Sequence, residues 1–430
     1  PMSIWQTWRY ALFLVLMLEP HSVLMLGFYF SFIAMAILIL VSQRIRLGKV
    51  NKMFALQLAC LLGLMPLNLY WFSYGSLNGL LANLFAIPLV SFLIVPLALL
   101  ITFLSPWFVI PGSITLINWL IMHFLIGIQW VDSFNFLNFN FTFTNALSPL
   151  ALLLAMVILT LLPIKQLFPI ASLFLIIGFF PHFETIKIGD AKMNVLDVGQ
   201  GLAVVIKTTH HILLYDTGMK FFQGGDMGKM AIIPYLNTLG IKYLDTVVIS
   251  HPDLDHRGGL SSIEEKYPMQ ELIVNNPQYY HRGKSCHHYP PWEWDGVTFR
   301  FFAITKVLSG KNNNSCILQI SNKNGQIIIS GDIEKKAEHY LIHQYGHRLH
   351  SSIMIIPHHG SKTSSSLAYI EHIAPRYAIS SYGWNNRYHF PHQQALHNYQ
   401  IHHIPIFNTV DCGMVQINLN NKQQPSCFRK

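Results

Sequence analysis

The stretch Ser250-His-Pro-Asp-Leu-Asp-His-Arg-Gly-Gly259, directly after the apolar run Thr246-Val-Val-Ile249, decides how the second half of this chain is read. It sets four metal-capable side chains, His251, Asp253, Asp255 and His256, in one short loop behind a predicted strand. Other candidate ligands also follow predicted strands: Asp216 after 212–215, Asp332 after 327–330, and His358-His359 after 352–356. A lone His or Asp in a loop is ordinarily a solvated turn residue, but ligands that recur at strand ends converge on one sheet edge. Short β-type runs are predicted at 192–198, 203–207, 212–215, 246–249, 271–274, 297–302, 316–320, 327–330, 352–356, 377–380 and 404–407. Helical patterns fall at 230–239, 259–266, 334–344, 366–372 and 392–399. Strands interleaved with helices predict sheets covered by helices, an α/β layered domain over 189–430.

Upstream the chain changes character. Of its 430 residues 52% are hydrophobic and 11% charged, whereas a soluble globular protein has roughly 25% charged residues. The imbalance lies in 1–183, where about six spans of ~20 apolar residues can be drawn: 22–41, 54–71, 80–104, 108–130, 147–163 and 167–183. The run 8–18 is too short to span alone and reads as a re-entrant half-helix or the remnant of a longer span. Cytoplasmic loops are enriched in Lys and Arg, so the segment holding Arg44, Arg46, Lys49 and Lys52 is placed inside. Alternation then puts the Asn-rich 132–145 loop and the polar domain outside. Pro66, Pro88, Pro96 and Pro111, with Asn68, Asn83, Ser91, Asn118 and His123, fall within apolar runs. They read either as broken helices lining a polar path or as ordinary kinks and interhelical hydrogen bonds. A first residue Pro1 is expected of a fragment of something longer.

Of five cysteines, Cys286, Cys316, Cys412 and Cys427 lie in the polar half without C-x-x-C spacing, which argues against a zinc-thiolate site. One or two disulfides and unpaired thiols both remain open. Donors of His and Asp type without Cys suit Zn²⁺ or Mn²⁺. Two such ions about 3.5–4 Å apart would activate water and clamp both oxygens of a phosphoryl displacement, so the loop suggests hydrolysis.

The ten-residue loop resembles the first metal motif of the metallo-β-lactamase fold. With Asn194-Val-Leu-Asp-Val-Gly-Gln-Gly201, Tyr215-Asp-Thr-Gly218, Ser330-Gly-Asp-Ile333, Pro357-His-His-Gly-Ser-Lys362 and Asn386-Arg-Tyr-His-Phe-Pro-His392, the polar half is similar to the ComEC family of bacterial DNA-uptake proteins. The apolar stretches 19–32 and 83–92 resemble the competence signatures of the same family. The resemblance implies a multi-pass α-helical membrane domain followed by an αββα metallo-β-lactamase-like domain. It implies a component of the inner-membrane channel for natural transformation that passes single-stranded DNA inward, with a nuclease on the outer face degrading the other strand. It also implies two divalent ions, Zn or Mn: His251 and Asp253 on one, Asp255 and His256 on the second, Asp332 bridging. His359 would be a further ligand, His358 a phosphate contact or acid, and Asp216 a residue orienting the ligand loop. Asp255, His358 and Asp332 are thus the expected catalytic residues, and Ser361, Lys362, Asn385, Arg387 and His392 the expected substrate contacts.

Expected partners are DNA, the lipid bilayer, a DNA receptor, possible further copies of the chain and a separate ATP-driven motor, because no Gly-x-x-x-x-Gly-Lys-[Ser/Thr] loop is present. A formal charge of +9 suits a polyanion. The aromatic stretches 278–284 and 287–294 read either as base-stacking surfaces or as loop packing. Two departures bear on activity. Leu202 stands where the family's Gly-Gln-Gly is usually followed by Asp, and Asn312-Asn-Asn-Ser315 stands where related enzymes carry a later-loop histidine. A membrane-anchored phosphodiesterase for a non-DNA substrate and a non-catalytic DNA-binding gate are the competing readings.

Overall fold

The chain divides into two units, Pro1–Phe183 and Glu184–Lys430. The structure is a computed structural model, and it describes residues 3–429 apart from 45–47, 73, 109–110, 142, 144–146, 162–164, 180–184, 223 and 421–423.

Apolar sequence makes the first unit helical. Among the described residues four helices are long and apolar enough to cross a membrane: Leu26–Gln43, Asn51–Phe72, Asn78–Leu104 and Ser113–Asp132. They match the first four expected spans, except that the first begins at Leu26 rather than Ser22 and the fourth at Ser113 rather than Phe108. Gly112, at φ +82°, turns the chain just before it, a left-handed value that glycine adopts without a Cβ penalty. The last two expected spans are helices Leu147–Leu161 of 15 residues and Phe168–Phe179 of 12, and the adjoining 162–164 and 180–184 lie outside the described residues. The expected half-helix is the helix Ile4–Leu18, followed by a 3₁₀ turn, Pro20–Leu24.

Between Pro88 and Pro96 the helix widens into a π stretch, Val90–Ile94, because proline offers no N–H and its ring excludes the carbonyl four residues back. His123 donates through Nδ1 to Trp119 O at 2.8 Å, so its polarity is met within its own helix. Phe92, Leu99, Phe103 and Trp107 are exposed, as side chains that face lipid are. Two short strands, β1 (Tyr74–Ser76) and β2 (Asn138–Asn140), pair antiparallel, and buried Asn78 reaches Asn138 Oδ1 at 3.3 Å.

The second unit stacks two sheets. The first contains β3 (Ala191–Leu196), β4 (Val204–Lys207), β5 (Ile212–Tyr215), β6 (Leu244–Ile249), β7 (Met269–Val274) and β8 (Lys284–Ser285). The second contains β9 (Trp292–Trp294), β10 (Val297–Phe302), β11 (Ile317–Asn322), β12 (Gly325–Ile329), β13 (Ile353–Ile355), β14 (Tyr377–Ser380) and β15 (Ile406–Asn408). The chain then returns to the first sheet with β16 (Met414–Leu419) and β17 (Ser426–Cys427), giving the orders β17-β16-β3-β4-β5-β6-β7-β8 and β15-β14-β13-β12-β11-β10-β9.

Strands buried on both faces need apolar residues throughout, and β5, β13 and the Val247–Ile249 end of β6 supply them. Val195, Leu213, Tyr215 and Val248 meet Phe299, Leu318, Ile327 and Ile353 between the sheets. Helices Ile233–Thr238 and Leu260–Lys266 cover the outer face of the first sheet. Helices Lys335–Tyr345, Leu367–Ile373 and Gln393–Ile401 cover that of the second. This is the expected α/β fold in four layers, helix, sheet, sheet, helix.

Both pairs of polar-half cysteines are bonded, Cys286 to Cys316 and Cys412 to Cys427. Within the aromatic stretch 287–294, Tyr289, Trp292 and Trp294 pack against the core, Trp292 stacked on Phe299, which is loop packing rather than an open stacking surface.

Candidate metal centre

Four loops deliver the site, each leaving the carboxyl end of a parallel strand: Asp216 after β5, His251 to His256 after β6, Asp332 after β12, and His358-His359 after β13. The motif loop turns once into a helix, Leu254–Arg257, with Asp253 as its N-cap residue. Gly201 lets the preceding Gly-Gln-Gly turn lie against it. At φ +129°, a Cβ there would stand 2.2 Å from Asp255 O.

Asp255, His256, Asp332 and His359 each present a ligand atom within 4.8 Å of one another, and all but Asp255 are buried. His256 Nε2 lies 3.1 Å from Asp332 Oδ1, and His359 Nε2 lies 3.6 Å from both Asp255 Oδ2 and Asp332 Oδ2. The outer nitrogens fix the tautomers. His359 Nδ1 donates to the carbonyl of Ser381 at 2.8 Å, and His256 Nδ1 donates to Asp216 Oδ2 at 2.7 Å. Both Nε2 lone pairs therefore face inward, 3.2 Å apart, an arrangement that repels unless a cation or a proton lies between them.

The same logic holds for His251. Ser250 Oγ donates to Asp216 Oδ2 at 2.7 Å, so His251 Nδ1 donates to Ser250 Oγ at 3.0 Å. His251 Nε2 is left buried without a hydrogen-bond partner, 3.6 Å from Asp253 Oδ2 and 3.8 Å from Asp332 Oδ2. An orphaned buried imidazole nitrogen among carboxylates fits a divalent cation.

Charge tunes these groups. Burial would raise the Asp332 carboxyl, but the imidazoles of His256 and His359 outweigh it and hold Asp332 well below the usual range. Burial would likewise lower His256 and His359, and Asp332 with its neighbouring carboxylates raises both instead. In His358 burial prevails and holds the imidazole below its ordinary value. Its Nε2 stands 3.8 Å from Asp332 Oδ2, with the ring at the rim of the cluster.

The expected substrate contacts are scattered in role. Lys362, Asn385 and Arg387 are exposed. Ser361 is buried and bonded to Thr363 at 3.1 Å. His392 caps helix Gln393–Ile401, accepting from Gln394 N at 3.3 Å, while its own N–H donates to Gly360 O at 2.8 Å. Leu202 is buried in the core between the sheets, and its N–H donates to Asp255 O at 3.2 Å. Sequence reasoning missed the carbonyl of Ser381, the hydroxyl of Ser250 and Lys311, whose ammonium pairs with Asp253 Oδ1. A backbone carbonyl has no sequence signature, and a lysine in a polar turn looks like any solvated charge.

Two stacked sheets with helices outside and His/Asp donors at strand ends define a metallo-β-lactamase-type domain, and the family model Metallo-beta-lactamase superfamily matches residues 196–384. The family model Competence protein matches residues 1–166. With both parts in this order, the chain belongs to the ComEC-type competence family, and it is a membrane protein. Competence protein ComA of Neisseria gonorrhoeae is 31% identical over 424 residues, 97% of this chain and 59% of that protein. Uncharacterized protein YcaI of Escherichia coli (strain K12) is 30% identical over 439 residues, 97% of this chain and 56% of that protein. The chain thus spans just over half the length of these curated relatives. Among solved structures, that of Tm1679, a metal-dependent hydrolase of the beta-lactamase superfamily, is 16% identical with a TM-score of 0.34, covering 51% of this chain and 95% of that one.

Proposed function

We propose that this chain forms part of an inner-membrane DNA-uptake channel and that its polar unit is a metal-dependent phosphodiesterase on the outer face, cutting the strand that does not enter. The observation that carries the reading is the convergence of Asp255, His256, Asp332 and His359, with the Nε2 atoms of the two histidines 3.2 Å apart. Zn²⁺ or Mn²⁺ is the fitting ion for this donor set. When bound, it supplies Lewis acidity toward a phosphoryl oxygen and acidifies water. The protein does the rest. Asp216 and Ser381 hold the two imidazoles in one tautomer, and Asp332 faces both halves of the cluster. His358, at the rim with its imidazole held below its ordinary value by burial, meets the phosphate, while exposed Lys362 and Arg387 draw the polyanion in. The competence match over residues 1–166 and the four long apolar helices support conduction of the other strand through the bilayer, driven by a separate ATP-dependent motor.

The test is the full chain in detergent micelles, assayed on linear single- and double-stranded DNA with Mn²⁺ or Zn²⁺, beside Asp332→Ala. Cleavage that needs the metal and falls at least about 100-fold in the variant is expected. A folded, metal-loaded chain that cuts other phosphodiesters but not DNA would reassign the substrate. One that cuts none would make the unit a DNA-binding gate.

A further inference from the structure

The two halves of the cluster are not equivalent. Asp255, His256 and His359 surround one side of Asp332, three donors beside the shared carboxylate. On the other side stand His251 and Asp253, with His358 Nε2 at the rim, 3.8 Å from Asp332 Oδ2. The segment that faces Asp253 contributes a lysine instead of a ligand, since Lys311 Nζ pairs with Asp253 Oδ1.

The position of that lysine is built into the fold. Lys311 leads a 3₁₀ turn, Asn312–Asn314, in which the side chains of Asn313 and Asn314 hold the backbone while that of Asn312 reaches His358 Nε2 at 3.5 Å. Buried Asn313 donates to Ser309 O at 3.0 Å and to Glu334 Oε2 at 3.2 Å, and its Oδ1 accepts from Glu334 N at 3.0 Å. Asn314 donates to Leu308 O at 2.8 Å and Gly310 O at 2.9 Å. At the far end Ser315 Oγ accepts from Asp332 N at 3.3 Å, and Cys316 N donates to Ser250 O at 3.0 Å. The turn is therefore fastened to both ligand loops, and Lys311 issues from a fixed base although its side chain is 64% exposed.

We propose that Lys311 stands in for a second cation: the centre holds one divalent ion tightly at Asp255, His256, Asp332 and His359, and the ammonium of Lys311 keeps the His251–Asp253 side from binding another with comparable affinity. This rests on the reading of the cluster as a metal centre. An ammonium beside Asp253 neutralises the carboxylate that a second ion would use and repels that ion. Its removal strengthens the weak side without touching any donor.

The experiment titrates Mn²⁺ into the full chain in detergent, following bound equivalents and the Mn²⁺ EPR signal. The wild type is expected to bind one equivalent tightly and a second at least about tenfold more weakly, with the spectrum of an isolated ion at one equivalent. Lys311→Met tightens the second equivalent about tenfold, and Lys311→Glu, which adds a carboxylate, tightens it further and gives a spin-coupled pair. Two equally tight equivalents in the wild type, or a second equivalent unchanged in both variants, overturns the inference and leaves the metal centre standing. Binding of no ion by any form overturns the metal centre and the inference together.

Discussion

Asp216 touches no substrate in the arrangement above, yet it fixes two of the three inward imidazoles. It accepts from His256 directly and from His251 by way of Ser250, and its other oxygen accepts from Ser250 N at 2.7 Å. Partners that orient a ligand typically contribute 10–100-fold to metal affinity. Asp216→Asn, which keeps the shape and loses the charge, is therefore expected to weaken Mn²⁺ or Zn²⁺ binding by about that factor. A metal titration by calorimetry reads it directly, and unchanged affinity would show that the imidazoles orient themselves. The motif residues at this scale were legible because metal chemistry narrows the choice to His and Asp. Their supports were not: Ser381 acts through a carbonyl that every residue has, and Ser250 through a hydroxyl indistinguishable in sequence from any other serine's.

Among the elements, the turn 199–201 and the disulfide Cys286–Cys316 do the positioning. Gly201→Ala would set a Cβ against Asp255 O at a backbone angle that L residues rarely adopt, a strain of about 1–3 kcal/mol. Because the atom displaced belongs to a ligand residue, metal affinity should fall along with the melting temperature, whereas a remote destabilising change would lower only the latter. The disulfide closes a 30-residue separation, and in the chain-entropy view such a loop is worth about 3–4 kcal/mol. Cys316 also carries the backbone contact to Ser250. Cys286→Ser/Cys316→Ser is accordingly expected to melt well below the parent in non-reducing buffer, and the parent with dithiothreitol to approach it. Equal melting would mean that the sheets alone hold that corner. Most strands were readable from their apolar runs. Those missed were short or atypical: β1 and β2 have three residues each, β8 and β17 two, β9 is Trp-Glu-Trp, and β16 mixes Gln and Asn into Met414–Leu419.

At the scale of the molecule, the charge pattern makes two demands. Burial acts to raise the Asp295 carboxyl, but hydrogen bonds from His210 Nδ1 at 2.8 Å, His210 N at 2.8 Å and Thr208 Oγ1 at 2.7 Å hold it down at about 2. Its folded value lies below the ~3.9 of a free aspartate. The stabilisation is therefore fully present above the unfolded value and is lost as pH falls through the folded one. Asp295→Asn should lower the melting temperature at pH 7 and converge with the parent near pH 2; a gap that persists at low pH would assign the effect to packing. The formal charge of +9 predicts DNA binding that weakens steeply with salt, and affinity indifferent to salt would argue against phosphate recognition. The division into an apolar and a polar half was plain from composition. The count of long helices was not, because 147–183 is mostly apolar while its helices, within the described residues, run to 15 and 12 residues.

The strand order carries a consequence for synthesis. β3, the first strand of the polar unit, lies between β4 and β16, so one of its neighbours is made only after the whole second sheet. Every donor from His251 to His359 has left the exit tunnel before Met414 appears, and until then one edge of β3 offers unpaired backbone groups to any passing chain. A polypeptide halted just short of β16 would own a complete set of metal donors and an open sheet, ready to aggregate before it could close.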